Sequence, residues 1–314
     1  MDQKGIISLG EAFVDYISID HTNTKFQQLL GGASVNVAVG AKRLGLSAYY
    51  LCKLGTDEVS EFVKQEFQKE HIDTSFSIHT SSKSVCGVYV YFNENGERYF
   101  HSYVNLTPDE VLSEDELKRE VFERAKIFYF GSGTLFHEKA KKTTETALSY
   151  AKDAGNIIAF DANLRLKRWE SEEKCRQTVS AFLKYAHIVK LAEDELHFLT
   201  ETGSLEVGID QLSKMKIPYL FITMGSKGAY AIFNENKVFV PAPTVKAIDT
   251  TGAGDAFMSA LLYSFHEKGL PFNLSQLKEY LNFANKVGAA STTEIGSLSN
   301  RIQNVPAVKN FQKL

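Results

Sequence analysis

Asp249-Thr250-Thr251-Gly252-Ala253-Gly254-Asp255 sets two glycines and an alanine directly before an acid, and a largely apolar stretch from Ala256 to Leu262 follows. A helix beginning near Ala253 leaves its first N–H groups without intrahelical acceptors. It adds the positive end of its dipole, and small residues let a phosphate approach the backbone. Asp255 then stands in the first turn beside an anion site, where a carboxylate repels a ground-state phosphate. One reason for its presence is chemical: it accepts the proton of a hydroxyl that attacks that phosphate. The other is structural, a glycine loop with an acid that only complements the helix dipole.

Several other groups could meet the same ligand. Gly31-Gly32-Ala33-Ser34-Val35-Asn36 precedes a helix. Paired glycines admit a ligand to the backbone and Asn36 lies one turn in, although Ser34 near an N-cap explains the junction as well. Asp15 follows the first strand beside Phe13, Val14 and Ile17. It reads either as a turn residue or as a carboxylate that accepts hydrogen bonds from vicinal sugar hydroxyls. Phe160-Asp161-Ala162-Asn163-Leu164-Arg165 puts three polar groups at alternate positions after a strand, converging on a ligand or serving turn chemistry. Glu195 sits in Lys190-Leu191-Ala192-Glu193-Asp194-Glu195, at the start of a helix, where acids are common for dipole reasons alone. Thr223, Gly225 and Gly228 lie in Ile222-Thr223-Met224-Gly225-Ser226-Lys227-Gly228, a phosphate or ribose cradle or, more simply, a hairpin turn. Familiar alternatives are absent from the sequence. There is no P-loop, Gly131-Ser132-Gly133 lacks a third glycine, and His137-Glu138 lacks the second histidine of a zinc protease. Neither a GxSxG elbow nor the HRD and DFG signatures of protein kinases occur.

These residues must be positioned by alternating elements. Gly5–Gly10, Ala48–Leu54, Ile127–Phe130, Ile157–Asp161, Ile188–Leu191, Tyr219–Met224 and Ala229–Phe233 read as short strands. Helices are expected at Ser34–Leu44, Glu58–Glu70 and roughly 138–153, 172–184, 193–201, 206–214, 254–268 and 275–292. Continuous apolar strands between amphipathic helices predict an α/β fold, a three-layer α/β/α core with a mostly parallel sheet. Ligands in such folds gather at the C-terminal ends of the strands. Val85–Val104 departs from the pattern and reads as a hairpin around Asn93-Glu94-Asn95-Gly96. Val88, Val90 and Phe92 take one face of its first strand, Tyr89 and Tyr91 the other. A hairpin with large side chains on both faces is unstable alone, and Ala12–Ile19 alternates and could join it. The expectation is that Tyr89, Tyr91 and Tyr103 face a polyol, and that Val88, Val90 and Phe92 pair with a second copy in a symmetric dimer. Residues from about Asn304 to Leu314 read as a loosely held tail.

The 314 residues are 44% hydrophobic and 23% charged, an ordinary globular balance. A net charge of −3 and a pI near 6.3 give no reason to expect nucleic acid or an anionic membrane as partner. Cys52, Cys86 and Cys175 are odd in number and widely spaced, which suggests free thiols in a reducing compartment. Met1–Leu9 is too short and polar for a signal peptide, and no apolar run approaches membrane-spanning length. The expected location is the cytoplasm.

Together, Gly31–Asn36 near the start and Asp249–Asp255 near the end resemble the two signatures of the ribokinase-like (PfkB) carbohydrate kinases, over nearly the whole chain. The resemblance implies one α/β kinase domain over 1–314 with a small β lid from about 11–24 and 84–104. It also implies ATP-dependent phosphorylation of a primary alcohol, with Mg2+ and, in many members, K+. Gly10-Glu11-Ala12-Phe13-Val14-Asp15, Asp161–Arg165 and Trp169 are similar to the fructokinase and 2-keto-3-deoxygluconate kinase branch. By that resemblance Asp15, Gly31, Gly32, Asn36, Tyr89, Tyr103 and Arg165 meet the sugar. Asn163, Arg165, Lys190, Thr223, Gly225, Gly228 and Asn285 meet the nucleotide. Gly252, Ala253 and Gly254 form the anion hole, and Asp255 is the base. Glu195 orients water around magnesium, and Asp249 is the candidate ligand of a monovalent cation. Two positions depart from the branch: Ala192 replaces an Asn three residues before Glu195, and Val104 replaces an Arg after the lid tyrosine. The expected substrate is fructose. A keto-acid substrate would need a cation such as Arg98 or Arg165, and a binding protein without turnover is the non-enzymatic alternative.

Overall fold

The short apolar strands assemble because neighbouring side chains along each one point to opposite faces. A computed structural model describes residues 3–298 and Val308. The chain runs β1 (Ile6–Leu9), β2 (Phe13–Ser18), β3 (Phe26–Gly31), α1 (Ala33–Arg43), β4 (Ala48–Leu51), β5 (Lys53–Leu54), α2 (Glu58–Lys69), β6 (Ile78–His79), β7 (Cys86–Phe92), β8 (Arg98–Val104), α3 (Glu120–Arg124), β9 (Ile127–Gly131), α4 (Glu138–Asp153), β10 (Ile157–Asp161), α5 (Glu172–Leu183), β11 (Ile188–Ala192), α6 (Glu193–Thr200), α7 (Leu205–Ser213), β12 (Tyr219–Thr223), β13 (Gly228–Phe233), β14 (Asn236–Pro241), α8 (Ala253–Lys268) and α9 (Leu274–Ser291). Side chains of Asp57, Ser171, Ser204 and Asn273 cap α2, α5, α7 and α9 by accepting backbone N–H groups.

The main sheet has the order β14-β13-β12-β11-β10-β9-β1-β4. It is parallel from β12 to β4, and β13 and β14 are antiparallel additions. Ile6, Tyr129, Ile188 and Phe221 pack on one side with α1, α8 and α9. Ile7, Phe128, Phe160 and Val189 pack on the other with residues of α4, α5 and α7. Three layers follow, as the strand–helix alternation predicts. In α8 every residue from Asp255 to Phe265 is buried. An apolar surface all round marks a helix enclosed by the core; here it fixes where the first turn of α8 must lie.

A second sheet has the order β3-β2-β7-β8, with β2 and β7 parallel and the other pairs antiparallel. Strand β3 was not anticipated, because exposed Gln27 and Gln28 hide its pattern. Edge strand β14 and short α3 also escape the periodicity. The stretch Ala48–Leu54, read as one strand, breaks at Cys52, whose N–H donates to Ser77 Oγ. The two faces of β7 are the reverse of the expectation, while Tyr103 on β8 faces the cleft as expected. Phe13, Asp15, Ile17, Val88, Val90 and Tyr103 face the cleft described below. Tyr89 and Tyr91 point away: Tyr89 stacks on Tyr16 at 4.7 Å, and Tyr91 stacks on His101 at 4.0 Å. Val88 and Val90 therefore do not form the dimer patch expected from sequence. The tail expected from about Asn304 lies outside the described residues, apart from buried Val308.

Leu261, fully buried on α8, should be costly to truncate. Leu261→Ala is expected to lower stability by about 2–5 kcal/mol, measured as the shift in urea unfolding free energy.

Candidate active site

The C-terminal ends of the parallel strands open beneath the small sheet. Between them lies a cleft of about 900 Å³, lined by Asp15, Gly32, Asn36, Asn163, Arg165, Gly252 and Asp255 among others. Such strand ends are where open α/β sheets place ligands.

At one end of the cleft α8 begins. Gly252 is its N-cap with φ 78°, a conformation that suits glycine. A Cβ on Gly252 would lie 2.6 Å from Ser297 Cβ. Ala253 N–H donates to Thr250 O and Ala256 N–H to Gly252 O. The N–H groups of Gly252, Gly254 and Asp255 have no acceptor among the described residues. Free donors at the positive end of a helix dipole form a built anion site.

Asp255 follows in the first turn and is 7% exposed. Its Oδ2 accepts Asn36 Nδ2 at 2.7 Å, and Asn163 Nδ2 stands 3.5 Å from Oδ1. Ser297 Oγ in turn donates to Asn36 Oδ1 at 3.2 Å, which fixes the amide with its NH2 toward the acid. Burial pushes the Asp255 pKa up, against the opposing pull of the Asn36 hydrogen bond and the Lys190 and Arg165 charges. The carboxylate is thus more basic than usual. Asn163 takes φ 36°, a left-handed conformation that Asn tolerates better than most residues. The same side chain therefore serves both the turn and the site. Lys190 Nζ holds Asp161 at 2.9 and 3.1 Å, entirely inside the protein. Burial alone would favour neutral lysine, but the Asp161 and Glu195 charges outweigh it and raise the Lys190 pKa. A Cβ on Gly254 would lie 3.0 Å from that ammonium, so the glycine lets a cation approach the anion hole.

Across the cleft, the Asp15 carboxylate has no hydrogen-bond partner among the described residues. Burial raises its pKa from 3.8 to about 6. A Cβ on Gly31 would collide with its carboxylate, and Gly32 has φ 113°. The paired glycines thus make room for the acid and turn the chain from β3 into α1.

Other candidates fall differently. Tyr103 and Arg165 line the cleft, whereas Tyr89 does not and is withdrawn from the sugar-facing set. Asp249 lines the cleft, and no group of three or more His, Cys, Asp or Glu able to hold a metal occurs among the described residues. Glu195 braces the loops, accepting Leu164 N–H at 2.7 Å and Ala192 N–H at 2.8 Å. Burial raises its pKa despite these bonds. Asp249 accepts Thr251 N–H at 2.9 Å and Gly296 N–H at 2.8 Å. Asn285 lies away from the cleft, its amide donating to Val240 O at 2.8 Å. Thr223, Gly225 and Gly228 sit at the β12–β13 connection, a tight antiparallel turn outside the cleft wall. Arg168 and Ser297 are among the further cleft residues that no sequence pattern singles out. The only hint was a basic-aromatic pair, Arg168-Trp169, closing the Asp161–Arg165 loop.

Residues 3–303 match the profile of the pfkB family carbohydrate kinases. A probable fructokinase-5 of Arabidopsis thaliana is 34% identical over 98% of this chain and 96% of its own. The structure of a fructokinase with bound ATP from Xylella fastidiosa superposes with a TM-score of 0.86 at 25% identity, covering 98% of this chain and 99% of that one. A Vibrio cholerae fructokinase with fructose, ADP and calcium bound gives 0.84 at 29% identity, covering 98% of each chain.

The raised pKa of Asp15 sets two expectations. Native protein binds the Asp15 proton more tightly than the unfolded chain does, so this residue's contribution to stability falls as pH rises from about 4 to 6. Asp15→Asn should therefore stabilise the protein at pH 7.5 and gain much less at pH 4.5, compared by denaturant midpoints. In wild type the KM for sugar should rise as pH falls through about 6, where the acceptor is protonated. A KM profile flat across that pH would show that the Asp15 carboxylate does not accept hydrogen bonds from the sugar.

Proposed function

The chain belongs to the pfkB family of carbohydrate kinases, and from that premise we propose that it is a fructokinase, moving the γ-phosphoryl group of ATP to the C6 hydroxyl of fructose. The carrying observation is the buried Asp255 carboxylate, held by Asn36 beside unpaired N–H donors at the start of α8. Fructose is favoured because whole-length relatives are fructokinases, one of them with fructose and ADP bound.

In this reading Asp15 accepts hydrogen bonds from sugar hydroxyls at one end of the cleft, leaving the primary hydroxyl near Asp255. That oxygen attacks the γ-phosphorus and passes its proton to Asp255; the bond to the β-phosphate oxygen breaks and ADP leaves. N–H groups of Gly252, Gly254 and Asp255, with Arg165, meet the charge on the transferring group. A divalent cation bound with the nucleotide neutralises phosphate charge. With no group of three or more acids among the described residues to ligate it, such a cation would be carried largely by the phosphates and waters, and Glu195, with one backbone N–H on each oxygen, keeps lone pairs to orient a metal-bound water. Asp249, with one backbone N–H on each oxygen, keeps lone pairs for a monovalent cation. Thr223, Gly225, Gly228 and Asn285 are retained as the nucleotide side of this one kinase unit.

The small sheet serves as the lid that excludes water. We place the protein in the cytoplasm, which suits its buried free cysteines; no helix among the described residues is long and apolar enough to cross a membrane. We also propose a homodimer through the outer edge of β8. That strand has no partner on one side among the described residues. Its Tyr99, Phe100, Tyr103 and Val104 are each 40–43% exposed, a surface prone to pairing. Light scattering should give a dimer at micromolar concentration, and Val104→Lys should shift it toward monomer; a monomeric wild type would remove the proposal.

ATP consumption with fructose, other hexoses, a riboside and 2-keto-3-deoxygluconate tests the substrate, with fructose expected to give the highest kcat/KM. Asp255→Asn should keep ATP binding and lose about 10²–10⁴-fold in kcat. A variant retaining more than about a tenth of wild-type turnover would return Asp255 to the role of a helix acid.

A further inference from the structure

Arg168 takes no part in the transfer described above, yet it stands where the small sheet and the core meet across the cleft. The turn Leu166–Arg168 is held by Arg168 N–H donating to Arg165 O at 2.8 Å and Trp169 N–H donating to Leu166 O at 3.0 Å. It puts the guanidinium against three rings. Arg168 Cζ lies 5.3 Å from the ring centre of Phe13, 5.1 Å from Tyr103 and 4.4 Å from Phe136. All three rings line the cleft. Phe13 opens β2, Tyr103 lies near the end of β8, and Phe136 belongs to the core after β9. A single half-buried cation thus touches both sides of the opening, within the range where a ring face attracts it. Among the described residues it has no ion-pair partner to draw it elsewhere.

The links at the base of the small sheet do a different job. Glu11 pairs with Lys83 at 2.6 Å. Thr107 Oγ1 accepts Ser84 N–H at 2.9 Å and donates to Ser84 O at 3.1 Å. These contacts tie the chain crossings at 10–12, 83–85 and 105–107 to one another, whereas Arg168 joins two rings of the small sheet, Phe13 and Tyr103, to Phe136 of the core.

We propose that Arg168 docks the small sheet onto the core over the bound sugar, and so directs the phosphoryl group to the sugar rather than to water. This rests on the sugar-kinase reading. Arg168 is a positioning residue: closure brings the cleft wall together and excludes water from the transferring group. A planar guanidinium can stack on several rings at once, which a compact ammonium cannot.

The test uses full-length Arg168→Ala and Arg168→Lys, with ADP and sugar phosphate measured separately. Arg168→Ala should raise the KM for fructose by about ten- to a hundredfold, the loss expected from three ring contacts, while the KM for ATP changes less than about twofold. ADP should then exceed sugar phosphate, whereas wild type gives equal amounts. Arg168→Lys, which keeps the charge, should fall between them and serves if the alanine variant does not fold. An unchanged KM for fructose with equal products, or an equal rise in both KM values, would overturn the proposal. Hydrogen exchange without ligand separates this from the substrate assignment. Arg168→Ala should speed exchange in β2 and β8 and leave β10 unchanged, even if the wild type phosphorylates no sugar in the panel. Unaltered exchange in β2 and β8 would overturn the docking role.

Discussion

Asp255 can be buried at the start of α8 only because donors surround it, and much of the molecule is arranged to supply them. Burial favours its neutral form. Asn36 opposes that with a 2.7 Å hydrogen bond, Lys190 and Arg165 with positive charge, and the helix start with its dipole. These groups come from α1, the middle of β11 and the loop after β10. The acid can act as a base only while all of them are in place, so the helical layer and the sheet must pack in one register. The enclosed apolar surface of α8 enforces that register.

Other buried charges follow the same economy. Lys190 and Asp161 neutralise each other inside the protein, where either alone would be costly to bury. Glu195 holds two loops by their N–H groups, which aligns the ends of β10 and β11 beside the anion hole. Asp15 is the exception. It is held against Gly31 without a polar partner among the described residues, and its raised pKa measures that shortage. A buried acceptor without a donor in its own chain is suited to donors brought by a ligand.

Several elements were legible from spacing alone. The helix at 138–153 was read with its observed bounds, and the strand at 157–161 likewise. Asn-Gly located the small hairpin. β3 was not legible, because two exposed glutamines remove its alternation and its strand pairing is supplied by β2. In the candidate site, Gly252, Gly254, Asp255 and Asp15 were legible because each sits at a junction where glycine or an acid needs a reason, and Asn36 because it lies one turn beyond such a junction. Arg168 and Ser297 were missed, because a lone arginine or serine in a loop carries no periodic signal.

The sequence by itself determined the layered α/β core, the helix start that offers free N–H groups, and the residue types able to receive a proton and a phosphate. These depend on local backbone chemistry and on periodicity, which nearby residues fix. Only the tertiary structure decided which face of the small sheet meets the cleft, and it chose Val88, Val90 and Tyr103 over Tyr89 and Tyr91. Alternation shows that a strand has two different faces. It does not show which face turns inward, because that depends on pairing with β2 and on the crossings that carry the chain between sheet and core.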